Sequence, residues 1–396
     1  MSIITLVFCG ALLVSYVQAQ GQSLDEMLDQ FGGSQGSQGQ NQQGQSGTGE
    51  TARDPLDCTC VPYYQCQNGT VIQNGVGLID IRIKEGPCES YLDVCCQAPI
   101  KDPVEPPPPV RNGNCGARHP EGVGFRITGD NDNESQFGEF PWMVAILREE
   151  TLGDNPEKLN VYKCGGSLIH QQMVLTAAHC VYAAQDGLKI RAGEWDTQTK
   201  NEVLPHQDRN VINVFIHPDY HSGALYNDVA LLLLDKPVAL ADNVDVVCLP
   251  EQDQVFDHSR CFASGWGKDV FGKEGRYQVI LKKVELPVVP RDTCINSLRQ
   301  TRLGNYFELH ESFICAGGEQ GKDTCKGDGG SPLVCPSPND QLRYQQAGIV
   351  AWGIGCGENN TPGVYANVAK LRSWIDTQMN ANNLGTDSYN IHTRPV

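Results

Sequence analysis

Positive charge is what this sequence has too little of. Thirty Lys and Arg stand against 47 Asp and Glu, for a formal net charge of −17. That balance argues against nucleic acid or an anionic membrane as the main partner, and leaves a basic protein partner or plain solubility. Long apolar runs are also missing: beyond the first 19 residues no stretch reaches the roughly 20 apolar residues that a membrane-spanning helix needs. No internal repeat is present, which removes solenoids and propellers. The cysteines do not form two clean CxxC pairs, so their spacing excludes a zinc–thiolate site of that kind.

What is there points elsewhere. A length of 396 residues suggests two or more units, and 42 Gly with 23 Pro favour loop-rich β structure over helical bundles. Residues 1–19 form an apolar segment closing on Val17-Gln18-Ala19, which reads as a secretory signal peptide cleaved near Ala19. With Cys9 removed in that signal, 17 cysteines become an even 16, as full pairing in an oxidising compartment requires. A secreted, extracellular protein is the expectation.

Composition divides the rest of the chain. Residues 20–56 are rich in Gln, Gly and Ser, with too little apolar surface to offset ordering entropy, and read as disordered. Residues 57–97 hold six cysteines: Cys58, Cys60, Cys66, Cys88, Cys95 and Cys96. A unit this small stabilises itself poorly by burial alone, and three crosslinks at about 2–4 kcal/mol each would supply the deficit. Spacing alone leaves their connectivity open among about 15 pairings. Residues 98–126 form a linker stiffened by Pro106 to Pro109. Residues 127–378 show short apolar runs punctuated by Gly, Pro and Asn, the pattern of an all-β sandwich or barrel pair. Val368 to Met379 carries Leu371, Trp374 and Ile375 at helical spacing, and 379–396 is a C-terminal tail.

Three motifs carry the chemistry. Leu175-Thr176-Ala177-Ala178-His179-Cys180 presents a histidine beside a cysteine. Tyr226-Asn227-Asp228-Val229-Ala230-Leu231 places an aspartate at the head of an apolar strand. Cys325-Lys326-Gly327-Asp328-Gly329-Gly330-Ser331-Pro332 is a glycine-rich turn. Each is weak alone, but their order, His then Asp then turn, is that of one triad arrangement. With Phe140-Pro141-Trp142, Cys164-Gly165-Gly166-Ser167, Ser264-Gly265-Trp266-Gly267 and Pro362-Gly363-Val364-Tyr365, the chain resembles the chymotrypsin/trypsin family from about residue 115 to 378. The resemblance implies an all-β fold: a trypsin-like double β-barrel with a C-terminal helix, the site lying between the barrels. It implies His179 as the general base and Asp228 as its orienting carboxylate. Gly327 and Gly329 N–H would form the oxyanion hole, and Asp323, Gly353 and Gly363 a pocket for Arg or Lys.

One departure decides the chemistry. The family pattern Gly-Asp-Ser-Gly-Gly-Pro is written here Gly327-Asp328-Gly329-Gly330-Ser331-Pro332. Glycine has no hydroxyl, so no acyl-enzyme forms at residue 329 and no catalytic residue set is functional. Loss of a triad serine costs about two million-fold, leaving roughly one turnover every two days from a typical ~10 per second. Ser331 is the weaker alternative nucleophile, yet it is displaced by two residues, and a 1 Å misplacement costs about 100-fold. Ala351-Trp352-Gly353 in place of Ser-Trp-Gly agrees with an inert cleft.

The same resemblance implies five disulfides in the protease-like region: Cys115–Cys248, Cys164–Cys180, Cys261–Cys335, Cys294–Cys315 and Cys325–Cys356. The N-terminal cysteines resemble the small disulfide-rich clip domain, which implies Cys58–Cys95, Cys60–Cys88 and Cys66–Cys96. Together the two parts are similar to the clip-domain serine protease homologues, and within them to the prophenoloxidase-activating factors of insects. That implies a haemolymph cofactor in the immune cascade of melanisation, with prophenoloxidase and clip-domain proteases as partners. A microbial-surface recognition or adhesion protein is the alternative. Activating cleavage is expected after Arg126 or Arg82. No cofactor is required; a structural Ca²⁺ would be held by Glu194 and Glu202 in the 193–202 loop. Asn68, Asn133 and Asn359 open glycosylation triplets.

Overall fold

The computed structural model describes residues 59–62, 78–79, 93–96, 115–124, 126–127, 133–151, 158–198, 204–268, 277–324, 328–338, 340–355 and 357–391. In the N-terminal part β1 (Thr59–Pro62) pairs antiparallel with β3 (Asp93–Cys96), setting Cys60 opposite Cys95. A two-residue strand, β2 (Leu78–Ile79), runs parallel to β4 (Arg126–Ile127).

Two closed six-stranded barrels follow. The first comprises β5 (Met143–Thr151), β6 (Lys158–His170), β7 (Met173–Thr176), β8 (Leu188–Ala192), β9 (Gln207–Ile216) and β10 (Ala230–Leu234), in the order β10-β7-β6-β5-β8-β9. The second comprises β11 (Arg260–Gly265), β12 (Lys282–Val289), β13 (Phe313–Gly317), β14 (Pro332–Ser337), β15 (Asp340–Trp352) and β16 (Pro362–Asn367), in the order β11-β12-β13-β16-β15-β14. Closure pairs every edge, which lets strands this apolar avoid edge-to-edge association. Alternation sets the direction of each side chain: Leu188, Ile190 and Ala192 of β8 are buried while Lys189 and Arg191 between them are not. The run of leucines in β10 breaks alternation because both faces are covered, and four of its five residues are buried.

Each barrel has its own core, around Ile146, Leu168 and Leu232 in the first and Ala263, Leu333 and Ala347 in the second. A third cluster joins them. Trp142, Trp195, Val229, Val334, Ile349 and Met379 are packed into one body that fixes the barrels against each other. The expected C-terminal helix runs Val368–Ala381, with Asn367 accepting from Lys370 N at its start. Val368, Leu371, Arg372, Ile375 and Met379 form its buried stripe.

Residues beyond the helix return to the first barrel. Tyr389 is fully buried, its hydroxyl donates to Asp376 Oδ1 at 2.7 Å, and its carbonyl accepts from Leu249 N at 2.9 Å. Four disulfides, Cys115–Cys248, Cys164–Cys180, Cys261–Cys335 and Cys294–Cys315, staple the domain. The expected Cys325–Cys356 bond and the three N-terminal pairings lie outside the described residues. Among the described residues no helix is long and apolar enough to cross a membrane.

Candidate functional site

Strand register builds the site. Ala230 of β10 lies opposite Thr176 at the end of β7, so the residues just before β10 and just after β7 meet. Those residues are Asp228 and His179. The backbone N–H of His179 donates to Asp228 Oδ1 at 2.8 Å, and its Nδ1 donates to Oδ2 at 2.6 Å. Asp228 is fully buried, whereas the imidazole keeps 27% of its exposure. The carboxylate therefore fixes the ring orientation and tautomer, with Nε2 turned to the cleft.

Gly329 enters from the second barrel. Its carbonyl accepts from Gly165 N at 3.0 Å, and the following turn is held by Gly330 N donating to Val350 O at 2.9 Å. Gly330 has φ +79°, and a Cβ there would lie 2.3 Å from Thr176 Oγ1, so only glycine fits that turn. At Gly329 itself a Cβ would lie 2.7 Å from His179 Nε2. The imidazole thus reaches into space that a side chain at residue 329 would need.

Ser331 follows this turn. It is fully buried, its hydroxyl has no hydrogen-bond partner, and it lies against Gly165, where a Cβ would come within 2.0 Å of Oγ. Its backbone is fixed by bonds from Ser331 N to Asp328 O and from Val350 N to Ser331 O, each 2.9 Å. Ala351 is buried and brings no hydroxyl. Gly327, the other expected oxyanion donor, lies outside the described residues.

Asp323 sits half-buried, its carboxylate accepting from Thr324 N at 2.8 Å and Gly357 N at 3.1 Å. Burial pushes its carboxyl up to about 6, partly opposed by those two N–H groups and reinforced by the charge of Asp328. Gly363 lies against the carboxylate, a Cβ there coming 3.1 Å from Asp323 Oδ1, while a Cβ at Gly353 would meet nothing nearer than Gly355 O at 3.9 Å. A larger side chain at residue 363 would crowd the carboxylate.

Asp328 is turned toward the β11 end, where Gly267 N donates to its Oδ1 at 2.9 Å. The Arg126–Ile127 backbone lies in the β2–β4 ladder, with Leu78 opposite Arg126. Arg82, Asn68 and Glu202 lie outside the described residues; Asn133 and Asn359 are exposed. Glu194 Oε2 lies 3.2 Å from Arg191 Nη1 and 3.5 Å from His206 Nδ1.

Two aromatic residues by the site escape motif reading. Tyr182, one turn after His179, meets Tyr220 edge-on at 5.4 Å. Burial and then the Asp228 charge push the Tyr220 phenol up to about 12. The only signal in the sequence was the three-residue spacing from His179 to Tyr182.

Comparison with known proteins finds matches to both parts of the chain. The Trypsin family matches residues 130–375, and the family described as Serine protease Clip domain PPAF-2 matches residues 47–97. Phenoloxidase-activating factor 2 of Galleria mellonella is 61% identical over 288 residues, covering 71% of this chain and 95% of its own. Inactive CLIP domain-containing serine protease A8 of Anopheles gambiae is 39% identical, covering 80% and 87%. Phenoloxidase-activating factor 1 of Holotrichia diomphalia is 32% identical, covering 72% and 79%.

Proposed function

The chain belongs to the trypsin family, with a clip domain ahead of the protease-like domain, and from that premise we propose that it is a non-catalytic homologue serving as a secreted cofactor in a proteolytic immune cascade. The observation that carries this reading is the contact between His179 and Gly329. A general base oriented by a buried carboxylate faces a residue without a hydroxyl, and the base occupies part of the space a nucleophile would need. Peptide hydrolysis through an acyl-enzyme has no atom on which to begin.

Binding does not need that atom. The Asp323 carboxylate is largely ionised at pH 7 and would receive an Arg or Lys of a partner through a charge-assisted contact. The cofactor acts by holding its partners, prophenoloxidase and its activating protease, in a productive arrangement. The names phenoloxidase-activating factor 2 and inactive CLIP domain-containing serine protease, carried by similar chains, support this assignment. Processing after Arg126 would free the Ile127 amine to pair with Asp328, and processing after Arg82 would open the clip loop. The role requires no bound cofactor. Carbohydrate on the exposed Asn133 and Asn359 fits the secretory route.

Reconstitution tests the proposal. Prophenoloxidase and its activating protease are mixed with the intact or the processed chain, and phenoloxidase activity is followed alongside hydrolysis of a chromogenic arginine peptide. Enhanced phenoloxidase activity with no hydrolysis by this chain alone is expected. Unchanged phenoloxidase activity with both forms sinks the cofactor role.

A further inference from the structure

With no hydroxyl on residue 329, His179 Nε2 faces sulfur. Cys180 Sγ lies 3.6 Å from it. The sulfur atoms of Cys164 and Cys180 and a ring nitrogen of His179 all lie within 4.8 Å of one another. These sulfurs form a disulfide whose Cys180 end is partly exposed, while the cysteines of the other three described disulfides are 0–2% exposed. Thiol–disulfide exchange requires access to a sulfur and a stabilised leaving thiolate. Here the His179 imidazole, oriented by Asp228, stands beside both sulfurs.

We propose that Cys164–Cys180 is the reducible disulfide of this cleft, and that its dithiol form joins His179 in a site for a zinc-class divalent cation. The reductant is a dithiol. One of its thiolates bonds to Sγ of the partly exposed Cys180, the Cys164–Cys180 bond breaks, and the electron pair leaves on Cys164. The second reagent thiol displaces Cys180 and closes the reagent's own disulfide. Two electrons have entered the protein, and the two reagent protons end on the two cysteines. Metal binding then displaces those two protons, leaving two thiolates and one neutral imidazole around the ion. Such a set of two cysteines and one histidine leaves one tetrahedral position for water. The Nδ1–Asp228 hydrogen bond serves as the outer contact that holds a ligating imidazole in place.

The test uses the full-length chain under native conditions. It is treated with limiting dithiothreitol, and freed thiols are capped with iodoacetamide and mapped by peptide mass spectrometry. Cys164 and Cys180 are expected to be capped before Cys115, Cys248, Cys261, Cys335, Cys294 or Cys315; opening of one of those buried pairs first overturns the proposal. The reduced, uncapped chain is then titrated with Co²⁺ without oxygen. A thiolate-to-cobalt charge-transfer band is expected, lost in the Cys164→Ala/Cys180→Ala double variant, with affinity reduced roughly 10–100-fold in Asp228→Asn. A band that persists unchanged in the double variant rules the site out. His179→Gln removes only the nitrogen ligand, and a cobalt spectrum identical to the parent's is equally fatal.

Discussion

Restoring the missing side chain is the most demanding check on the reading of the cleft. In Gly329→Ser the new Cβ would stand 2.7 Å from His179 Nε2 and 3.3 Å from Cε1. An ordinary contact between such atoms is about 3.4 Å, so the ring must withdraw by roughly 0.7 Å. Withdrawal works against bonds of 2.6 and 2.8 Å to a buried carboxylate, which makes the displacement costly in either direction. Overpacking of this kind lowers stability by about 1–3 kcal/mol. A base misplaced by that distance forfeits on the order of 100-fold in rate. The variant is therefore expected to turn over an arginine ester at no more than about 0.1 per second, against a typical ~10 per second. Burst titration with a fluorophosphonate counts competent sites, and a chromogenic arginine peptide gives the rate; the parent should label and turn over at background. Full-rate hydrolysis by the serine variant would refute the steric argument, and labelling of the parent would refute the absence of a nucleophile.

Two further outcomes follow from neighbouring residues. Ser331→Ala removes a buried hydroxyl that has no partner, so thermal denaturation should show stability unchanged or raised by about 1 kcal/mol; a large loss would mean that the hydroxyl is bonded. Asp323 has its carboxyl raised from 3.8 to about 6 in the folded chain. The stability it contributes is complete below the unfolded value and is lost as pH rises through about 6, a swing of about 3 kcal/mol. Asp323→Asn should flatten that part of the pH–stability curve. In the parent, fluorescent aminobenzamidine should bind more weakly as pH falls below about 6, and affinity that is flat from pH 5 to 8 would contradict the assignment.

Much of this was legible in one dimension. His179, Asp228 and Gly329 lie within short local motifs, and short apolar runs expected over 127–378 include the strands β10 and β15 of the two barrels. Unreadable were features made by contact between distant elements. Arg191 lies opposite Asp208 in the β8–β9 register, which aims its guanidinium at both Asp208 and Glu194; Arg191 stands only three residues before Glu194, but the strand pairing that orients it is not written locally. The orientation of Ser331 is set by Gly165 and Val350, each far away in sequence. The segment after the helix has the polar composition of a frayed end, and only the fit of Tyr389 between Leu249 and Asp376 gives it a place.

The Cys115–Cys248 bond closes a covalent ring around residues 116–247. Gly116 is knotted to the body as well, donating to Val246 O and accepting from Tyr344 N at 2.8 Å each. Severing any one peptide bond within that ring, the Arg126–Ile127 bond included, yields two strings that still travel as one particle. Such a cut adds only one water to the mass seen without reductant and leaves the stoichiometry as it was, so its message to a partner can be written only in shape and in newly exposed chain ends.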